Sequence, residues 1–304
     1  MGFDTAYEAI TEESDTHRWA FGTGFTDPLA GVDTSVPEGA DGADLAAYCL
    51  MLGDDALIMS HRLQEWLSRA PELEEDTALA NIALDLLGQA RLLLTRAGAA
   101  DGSGRTEDDL AFARAEREFR NVRLAEISDA DFAALVARLL VFSTWRLALL
   151  VALRDSADPV LAAIAAQGVK EVTYHRDYAA QWVIRLGDGT DFSRERMVAG
   201  LAAVAAFVAE LFDVTAVEQR LAGAGVAVDP ARLRTEFDAV MAAVLAEAGL
   251  AESGAGEADQ RWPSVPGLAG VSGQMGREGV HTEAMGYVVA ELQSVARSLP
   301  GATW

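Results

Sequence analysis

Beyond residue 43, apolar residues recur about every 3.6 positions, the period that gives an α-helix one apolar face. The pattern predicts an all-α chain, and four of its helices run about 25 residues, or ~37 Å at 1.5 Å per residue. These four pair as two hairpins, 44–69 with 73–97 and 129–155 with 159–186. With the long connection at 98–128, they predict a ferritin-like four-helix bundle core with additional flanking helices. The other predicted helices are 107–124, 192–212, 230–248 and 281–299.

Two stretches interrupt the helical pattern. Residues 1–43 mix Gly, Thr, Asp and Pro without a steady period, which predicts an acidic, flexible extension with one short helix near Tyr7–Ile10. Residues 252–279 contain seven Gly and two Pro and are predicted to form a surface loop. We therefore divide the chain into the extension, 1–43, and a single helical domain, 44–304.

The charge of the chain argues against several classes of function. Its 24 Lys and Arg against 47 Asp and Glu give a net charge of −23, which repels nucleic acids and anionic membranes. Cys49 is the only cysteine, which excludes a disulfide framework, a cysteine-ligated zinc site and an iron–sulfur cluster. The sequence has no signal-peptide pattern and no apolar run of about 18 to 20 residues that is free of charge and has membrane flanks, so we expect a cytoplasmic protein without nucleic-acid or membrane partners.

Four titratable residues occupy positions that should face the core of the bundle. Asp54 and Asp85 lie at similar heights on the two helices of the first hairpin, and Glu171 and His175 follow the apolar stripe of helix 159–186. Acids on neighbouring helices are typical of di-iron carboxylate bundles. We therefore expect the four residues to form one buried cluster, which His61 could join because it shares a helix face with Asp54.

The cluster lacks the full ligand set of a di-iron site. Such a site needs a carboxylate from each of two helices and Glu-x-x-His from the other two. Helix 73–97 has no histidine, His175 comes one residue late after Glu171, and Ala133 to Leu153 contains no carboxylate. We predict no metal in this chain and a vestigial cluster of mutually neutralising polar groups; a surviving metal is the alternative. Candidate cationic partners of the cluster are Arg146, Lys170 and Arg176, while His17 and His281 receive no role.

Several strings occur in order along residues 42–304 and together resemble one family. They include LGDD at 52–55, SHRLQEW at 60–66, LDLLGQAR at 84–91, KE at 170–171, YH at 174–175, AVDP at 227–230, GVHTE at 279–283 and PGATW at 300–304. The chain resembles the C subunits (PaaC type) of phenylacetyl-CoA 1,2-epoxidase, also called phenylacetate-CoA oxygenase, in the ferritin-like superfamily.

The resemblance implies a subunit of the multicomponent epoxidase of aerobic phenylacetate catabolism, without independent activity. Such a subunit has no cofactor and no catalytic residue, and it pairs with a homologous catalytic A subunit, which holds the di-iron centre. Together with a separate reductase and the other subunits, they epoxidise the ring of phenylacetyl-CoA with O₂. The rival hypotheses are a free-standing ferritin-like metal-binding oxidase and an oligomeric binding protein.

The resemblance also implies two substrate-contacting segments, which are Glu118, Phe119, Arg120 and Asn121, and then Gln219, Arg220 and Leu221. The first segment lies among arginines that recur every three residues, at 114, 117, 120 and 123, and would form a cationic ridge on helix 107–124. One interpretation is a solvated ridge paired with Glu116, Glu118 or an acidic neighbour. The other is an anion site for CoA phosphates or for a carboxylate-rich partner surface.

Helix 73–97 is apolar on more sides than one core requires. We expect its excess face, formed with helix 44–69, to dock on the catalytic A subunit. In the alternative, helices 107–124 and 192–212 of the same chain cover this face. The apolar residues concerned are Leu79, Ile82, Leu84, Leu86, Leu87, Leu92, Leu93 and Leu94.

Overall fold

The computed structural model describes residues 29–251, 276–300 and 302, and all regular elements within these residues are helical. The predicted all-α fold is therefore confirmed. The predicted helix near Tyr7–Ile10, His17 and most of the predicted loop 252–279 lie outside the described residues. The α-helices are α1 (Gly42–Gln64), α2 (Leu73–Ala100), α3 (Glu107–Phe112), α4 (Arg123–Glu126), α5 (Phe132–Leu153), α6 (Pro159–Gly187), α7 (Asp191–Ala205), α8 (Ala216–Gly223), α9 (Arg234–Glu247) and α10 (Glu283–Ser298).

The four long helices pack around a shared core. Helix α1 packs against α2, α5 against α6, and α2 against α6. Side chains of α5 complete the ring: Arg146 donates to the carbonyl of Leu52 on α1, and Arg138 reaches the sulfur of Met59. This arrangement of two hairpins is consistent with a ferritin-like helical fold.

Local sequence signals mark where the long helices α5 and α6 begin. The carboxylate of Asp158 accepts a hydrogen bond from the backbone N–H of Leu161, and Pro159 occupies the first helical position of α6. Asp131 caps α5 in the same way through the N–H of Ala134. These caps satisfy N–H groups that have no partner within the helix, so the starts are readable from the sequence.

Helix α5 is far more enclosed than α2. By length and composition alone, α2 and α5 are apolar enough to span a membrane. Protein atoms bury 94% of the most apolar window of α5 and 44% of that of α2. Packing within the molecule thus accounts for the apolar composition of α5.

The predicted continuous helix 107–124 is wrong. The chain forms α3, then a 3₁₀ turn at Glu116–Glu118 and an extended stretch, before the short helix α4. In the extended stretch the N–H groups of Arg120 and Val122 donate to the carboxylates of Asp54 and Asp55 on α1, each at 2.8 Å. A continuous helix would commit those N–H groups to carbonyls one turn earlier, so the buried acids of α1 favour the break.

The predicted helix 192–212 is also too long, because α7 ends at Ala205 and a 3₁₀ turn occupies Ala209–Phe212. Helix α8 was not predicted. Its sequence signal is the capping box of Thr215 and Glu218, in which each side chain accepts from the other residue's N–H.

Candidate functional site

The buried acid Asp54 is bound by arginine rather than by other acids. Its side chain is fully buried, and it accepts from Nη1 of Arg114 at 2.9 Å and from Nη2 of the same guanidinium. The backbone N–H of Arg120 donates to Asp54 at 2.8 Å. Three donors therefore satisfy the carboxylate, which offsets the free-energy cost of burying its charge.

The other three predicted members of the cluster lie on the facing sides of α2 and α6. Nε2 of His175 is 3.0 Å from Oδ2 of Asp85, whose side chain is 38% exposed. Glu171 is half-buried and accepts from the amides of Gln89 and Gln167, each at 2.8 Å. The prediction of a single buried cluster is therefore wrong, since Asp85 and Glu171 reach solvent and Asp54 is taken by Arg114.

No group of three His, Cys, Asp or Glu side chains in the part of the chain that the structure describes is arranged to hold a metal ion. His61 is half-buried, and burial lowers its pKa. Within the same described part, no hydrogen bond or ion pair joins His61 to Asp54, because that acid is already satisfied by Arg114 and Arg120.

Arg146 lies at the centre of the bundle, 1% exposed. Its Nε donates to Oε1 of Gln89 at 2.9 Å and its Nη1 to the carbonyl of Leu52 at 3.3 Å. Burial lowers the pKa of Arg146 to about 10, although the charge of Asp55 opposes the shift. Through Gln89, which also donates to Glu171, the guanidinium links helices α1, α2, α5 and α6.

The other two candidate cations do not reach this centre. Lys170 is exposed, and Arg176 contacts its neighbour Asp177 at 3.2 Å. Of the three predicted cationic partners, only Arg146 is therefore placed among the polar groups of the bundle interior.

Asp55, for which no role was predicted from sequence, forms a second buried ion pair beside Asp54. Both of its oxygens are 2.9 Å from the guanidinium of Arg277, and its Oδ1 also accepts from the N–H of Val122 at 2.8 Å. Although burial acts to lower the pKa of Arg277, the charges of Asp55, Glu218 and Glu210 hold it above its usual value. Arg277 therefore stays charged and anchors the C-terminal segment to α1.

His281, for which no role was predicted from sequence, also belongs to the C-terminal segment and contacts residues 119 and 126. Its Nδ1 is 2.8 Å from Oε2 of Glu126, and its Nε2 is 3.2 Å from the carbonyl oxygen of Phe119. Burial acts to lower the pKa of His281, but the hydrogen bond and charge of Glu126, with the Phe119 carbonyl, raise it above its usual value. Because both ring nitrogens face acceptors, we assign the imidazolium form.

Only part of the first predicted substrate segment faces solvent. Glu118 is exposed and Arg120 is half-exposed, whereas Phe119 and Asn121 are fully buried. The guanidinium of Arg114 lies over the ring of Phe119, 4.2 Å from its centroid, and Asn121 donates to Glu126 at 2.8 Å. Glu118 and Arg120 are thus the two side chains of the segment that a ligand could contact.

The predicted arginine ridge does not form. Arg114 points inward to Asp54, and the buried Arg123 donates to Glu210 at 2.9 Å. Arg117 is exposed and Arg120 is partly exposed. The four arginines share no helix face because residues 113–122 are not one helix, so the predicted solvated ridge is wrong as well.

The second predicted segment lies on α8. Gln219 is exposed, Leu221 is buried, and Arg220 binds both oxygens of Asp44 at 2.6 and 2.7 Å. Asp44 precedes Asp54 on α1 by roughly 15 Å at 1.5 Å per residue. Both segments therefore contact α1, but no hydrogen bond or ion pair in the described ranges joins them.

The predicted docking face of α2 is mostly core. Helices α1, α3 and α6 pack on α2, and α3 belongs to the stretch 107–124 named as an alternative cover. Of the eight apolar residues predicted to form this face, Leu84 alone is exposed, at 44%, so they do not form a broad exposed surface, and docking on the A subunit stays a prediction. The buried members are Leu79, Ile82, Leu86, Leu93 and Leu94, and the half-buried ones are Leu87 and Leu92.

Among known protein families, one has a sequence model that matches most of this chain. Residues 32–304 match the sequence model of the family described as phenylacetic acid catabolic protein. The chain belongs to this family. The match extends into the predicted 1–43 extension and includes the buried acids of α1 and the polar residues between α2 and α6.

One curated member of the phenylacetic acid catabolic protein family is similar along nearly its whole length. The C subunit of the 1,2-phenylacetyl-CoA epoxidase of Escherichia coli (strain K12) is 43% identical to this chain over 260 residues. These residues cover 86% of this chain and 99% of the E. coli protein. The resemblance to the C subunits is therefore confirmed.

Proposed function

We propose that this chain is the C subunit of a 1,2-phenylacetyl-CoA epoxidase and acts in phenylacetate catabolism. The observation that carries the proposal is the 43% identity to the E. coli C subunit over 99% of that protein's length. In the proposed complex, this chain pairs with a homologous A subunit that holds the di-iron centre, alongside the other subunits and a reductase.

The chemistry of the bundle interior supports a non-catalytic role. A di-iron site needs several carboxylates that face one another without bound cations. Here Arg114 occupies both oxygens of Asp54, and the buried guanidinium of Arg146 lies where helices α1, α2, α5 and α6 meet. Fixed cations at these places repel Fe²⁺ and Fe³⁺, so the residues present do not fit a di-iron centre.

The exposed side chains of residues 118–121 support a contact with the acyl-CoA substrate. CoA carries phosphates, and this chain has a net charge of −23, so binding needs locally placed cations. Arg120 is partly exposed and Arg117 is exposed beside it. We assign the substrate contact to this surface, which Glu118 shares, and give Gln219 and Arg220 a lesser part.

Co-expression tests the pairing. The chain and its A-subunit homologue are produced together and separately, then analysed by size-exclusion chromatography at micromolar concentration. We expect one complex containing both, with iron confined to the A subunit. Two folded proteins that elute apart would contradict the pairing.

Metal analysis and an oxygen-consumption assay separate the rival hypotheses. A free-standing oxidase would retain about two irons per chain, the content of a di-iron site, and consume O₂ without the A subunit. An oligomeric binding protein would bind little iron and form no complex with the A subunit. The proposed C subunit instead restores phenylacetyl-CoA-dependent O₂ consumption only when the A subunit and reductase are present.

A further inference from the structure

Residues 118–122 are fixed by side chains of α1 from one side. The backbone is extended at Phe119 and at Val122, and the N–H groups of residues 120 and 122 both donate to side chains of α1. Asp54 accepts from the first and Asp55 from the second, each at 2.8 Å. Two consecutive acids of one helix thus bind alternate N–H groups of one extended stretch.

Other charged side chains fix the carbonyls of the same stretch. Arg277 donates to the carbonyl of Arg120 at 2.7 Å, and the imidazole of His281 contacts that of Phe119 at 3.2 Å. Arg114 donates to the carbonyl of Glu118 at 3.1 Å. Every residue from 118 to 120 therefore has its carbonyl bound by a cationic or cation-forming side chain.

The C-terminal segment lies directly on this stretch. Gly279 has a φ of +77°, and a Cβ at this position would come within 2.2 Å of the carbonyl oxygen of Arg117 and 2.6 Å of Nη1 of Arg120. Only glycine fits such a close approach with a positive φ. The segment that carries Arg277 and His281 is thus held against the backbone of residues 117–120.

We propose that Asp54, Asp55 and Arg277 are positioning residues that hold the backbone of residues 118–122 so that Glu118 and Arg120 face the acyl-CoA substrate. The inference rests on the proposed substrate contact of this segment. Asp54 and Asp55 are fully buried, and a buried carboxylate is retained only with several donors. Here these donors include the segment's own N–H groups, so Asp54, predicted to belong to a vestigial metal cluster, would instead define a loop conformation together with Asp55.

Hydrogen exchange and steady-state kinetics of one variant test the inference together. Asp55→Asn removes the two-oxygen contact with Arg277 and weakens the bond to the N–H of Val122. Losing a hydrogen bond to a charged group allows local opening roughly ten- to a hundredfold more often. We expect the amides of Arg120 and Val122 to exchange about tenfold faster or more.

In the epoxidase reconstituted with this variant, we expect KM for phenylacetyl-CoA to rise several-fold while kcat changes little. A purely structural role would lower the amount of assembled enzyme and leave KM unchanged. Arg277→Lys keeps the charge but not the fork geometry, and we expect it to give a smaller change of the same kind. This second variant carries the test if Asp55→Asn does not fold.

Asp158→Asn is the matched control. Asp158 is as deeply buried as Asp55 and pairs with Arg96, but it does not contact residues 118–122. We expect Asp158→Asn to leave KM and the exchange of the two amides unchanged. An equal rise of KM in this control would overturn the inference, since any buried-pair defect would then suffice.

A fourth variant separates the inference from the proposed function. Arg120→Gln removes the exposed cation itself and should raise KM for phenylacetyl-CoA. If Arg120→Gln has no effect on KM, the substrate contact is wrong and the inference falls with it. If Arg120→Gln raises KM but Asp55→Asn and Arg277→Lys change neither exchange nor KM, the substrate contact stands and only the positioning role is wrong.

Discussion

Two polar regions of the bundle satisfy their acids in different ways. In the α1 centre, formed by Asp54, Asp55, Arg114 and Arg277, every side chain is at most 6% exposed and each acid is matched by an arginine. In the α2–α6 seam, formed by Asp85, Gln89, Glu171 and His175, the acids reach solvent and bind amides and an imidazole.

The difference follows from depth. Water screens an acid at the surface of the seam, so neutral donors are sufficient there. An acid without access to water needs a full opposite charge and further hydrogen bonds, and removing its partner leaves an uncompensated buried charge. We therefore expect substitutions in the α1 centre to cost much more stability than equivalent substitutions in the seam.

The largest expected effect is that of Arg114→Met. It leaves the carboxylate of Asp54 buried without its cation and should lower the free energy of unfolding by about 3–5 kcal/mol. Urea denaturation followed by circular dichroism measures the loss. The double variant Arg114→Met/Asp54→Asn should recover part of it, because no buried charge then remains unpaired. Ion pairs at a protein surface contribute up to about 1 kcal/mol. A loss below that value for the single variant would mean that acids in the two regions do not differ in their cost to stability.

Arg146 lies between the two regions and should give an intermediate effect. Arg146→Met fills a similar volume but leaves Oε1 of Gln89 without a donor and removes the side-chain donor to the carbonyl of Leu52. The unsatisfied buried acceptor of Gln89 predicts a loss of about 1–3 kcal/mol in the same denaturation experiment. A variant as stable as the parent chain would indicate that the guanidinium contributes nothing beyond its desolvation cost.

The contacts of His281 with Glu126 and with the carbonyl of Phe119 predict a pH dependence of stability. The pKa of His281 is raised in the folded state, so its contribution to stability is fully present below its unfolded pKa of about 6.5 and is lost as pH rises through the folded pKa. The stability difference between the parent chain and His281→Gln should therefore shrink from pH 6 to pH 9. Denaturation curves across this range measure it, and a difference that grows with pH would contradict the imidazolium assignment.

The smallest expected effect is that of Asp85→Asn in the seam. The side chain of Asp85 is 38% exposed and pairs, among the residues that the structure describes, with His175 alone, so the loss should be within about 1 kcal/mol. Thermal denaturation of Asp85→Asn and Arg114→Met under the same conditions compares the two regions directly. Equal destabilisation by the two variants would mean that depth does not set the cost.

The sequence alone determined the long helices and the family. The apolar period located α1, α2, α5 and α6 to within a few residues, and the pair Asp158-Pro159 marked the start of α6. These features follow from neighbours within one or two helical turns, which is the range over which a sequence pattern acts. The absence of carboxylates from Ala133 to Leu153 likewise needed no structure.

The tertiary structure alone decided what the polar residues do. The arginines at 114–123 fit a helical pattern locally, yet the acids of α1, some 60 residues earlier, capture the N–H groups of 120 and 122. Arg277 reaches Asp55 across 222 residues and His281 reaches Glu126 across 155. A buried charge pairs with whichever part of the chain packs beside it in the folded protein. The local period of the sequence does not indicate which part that is.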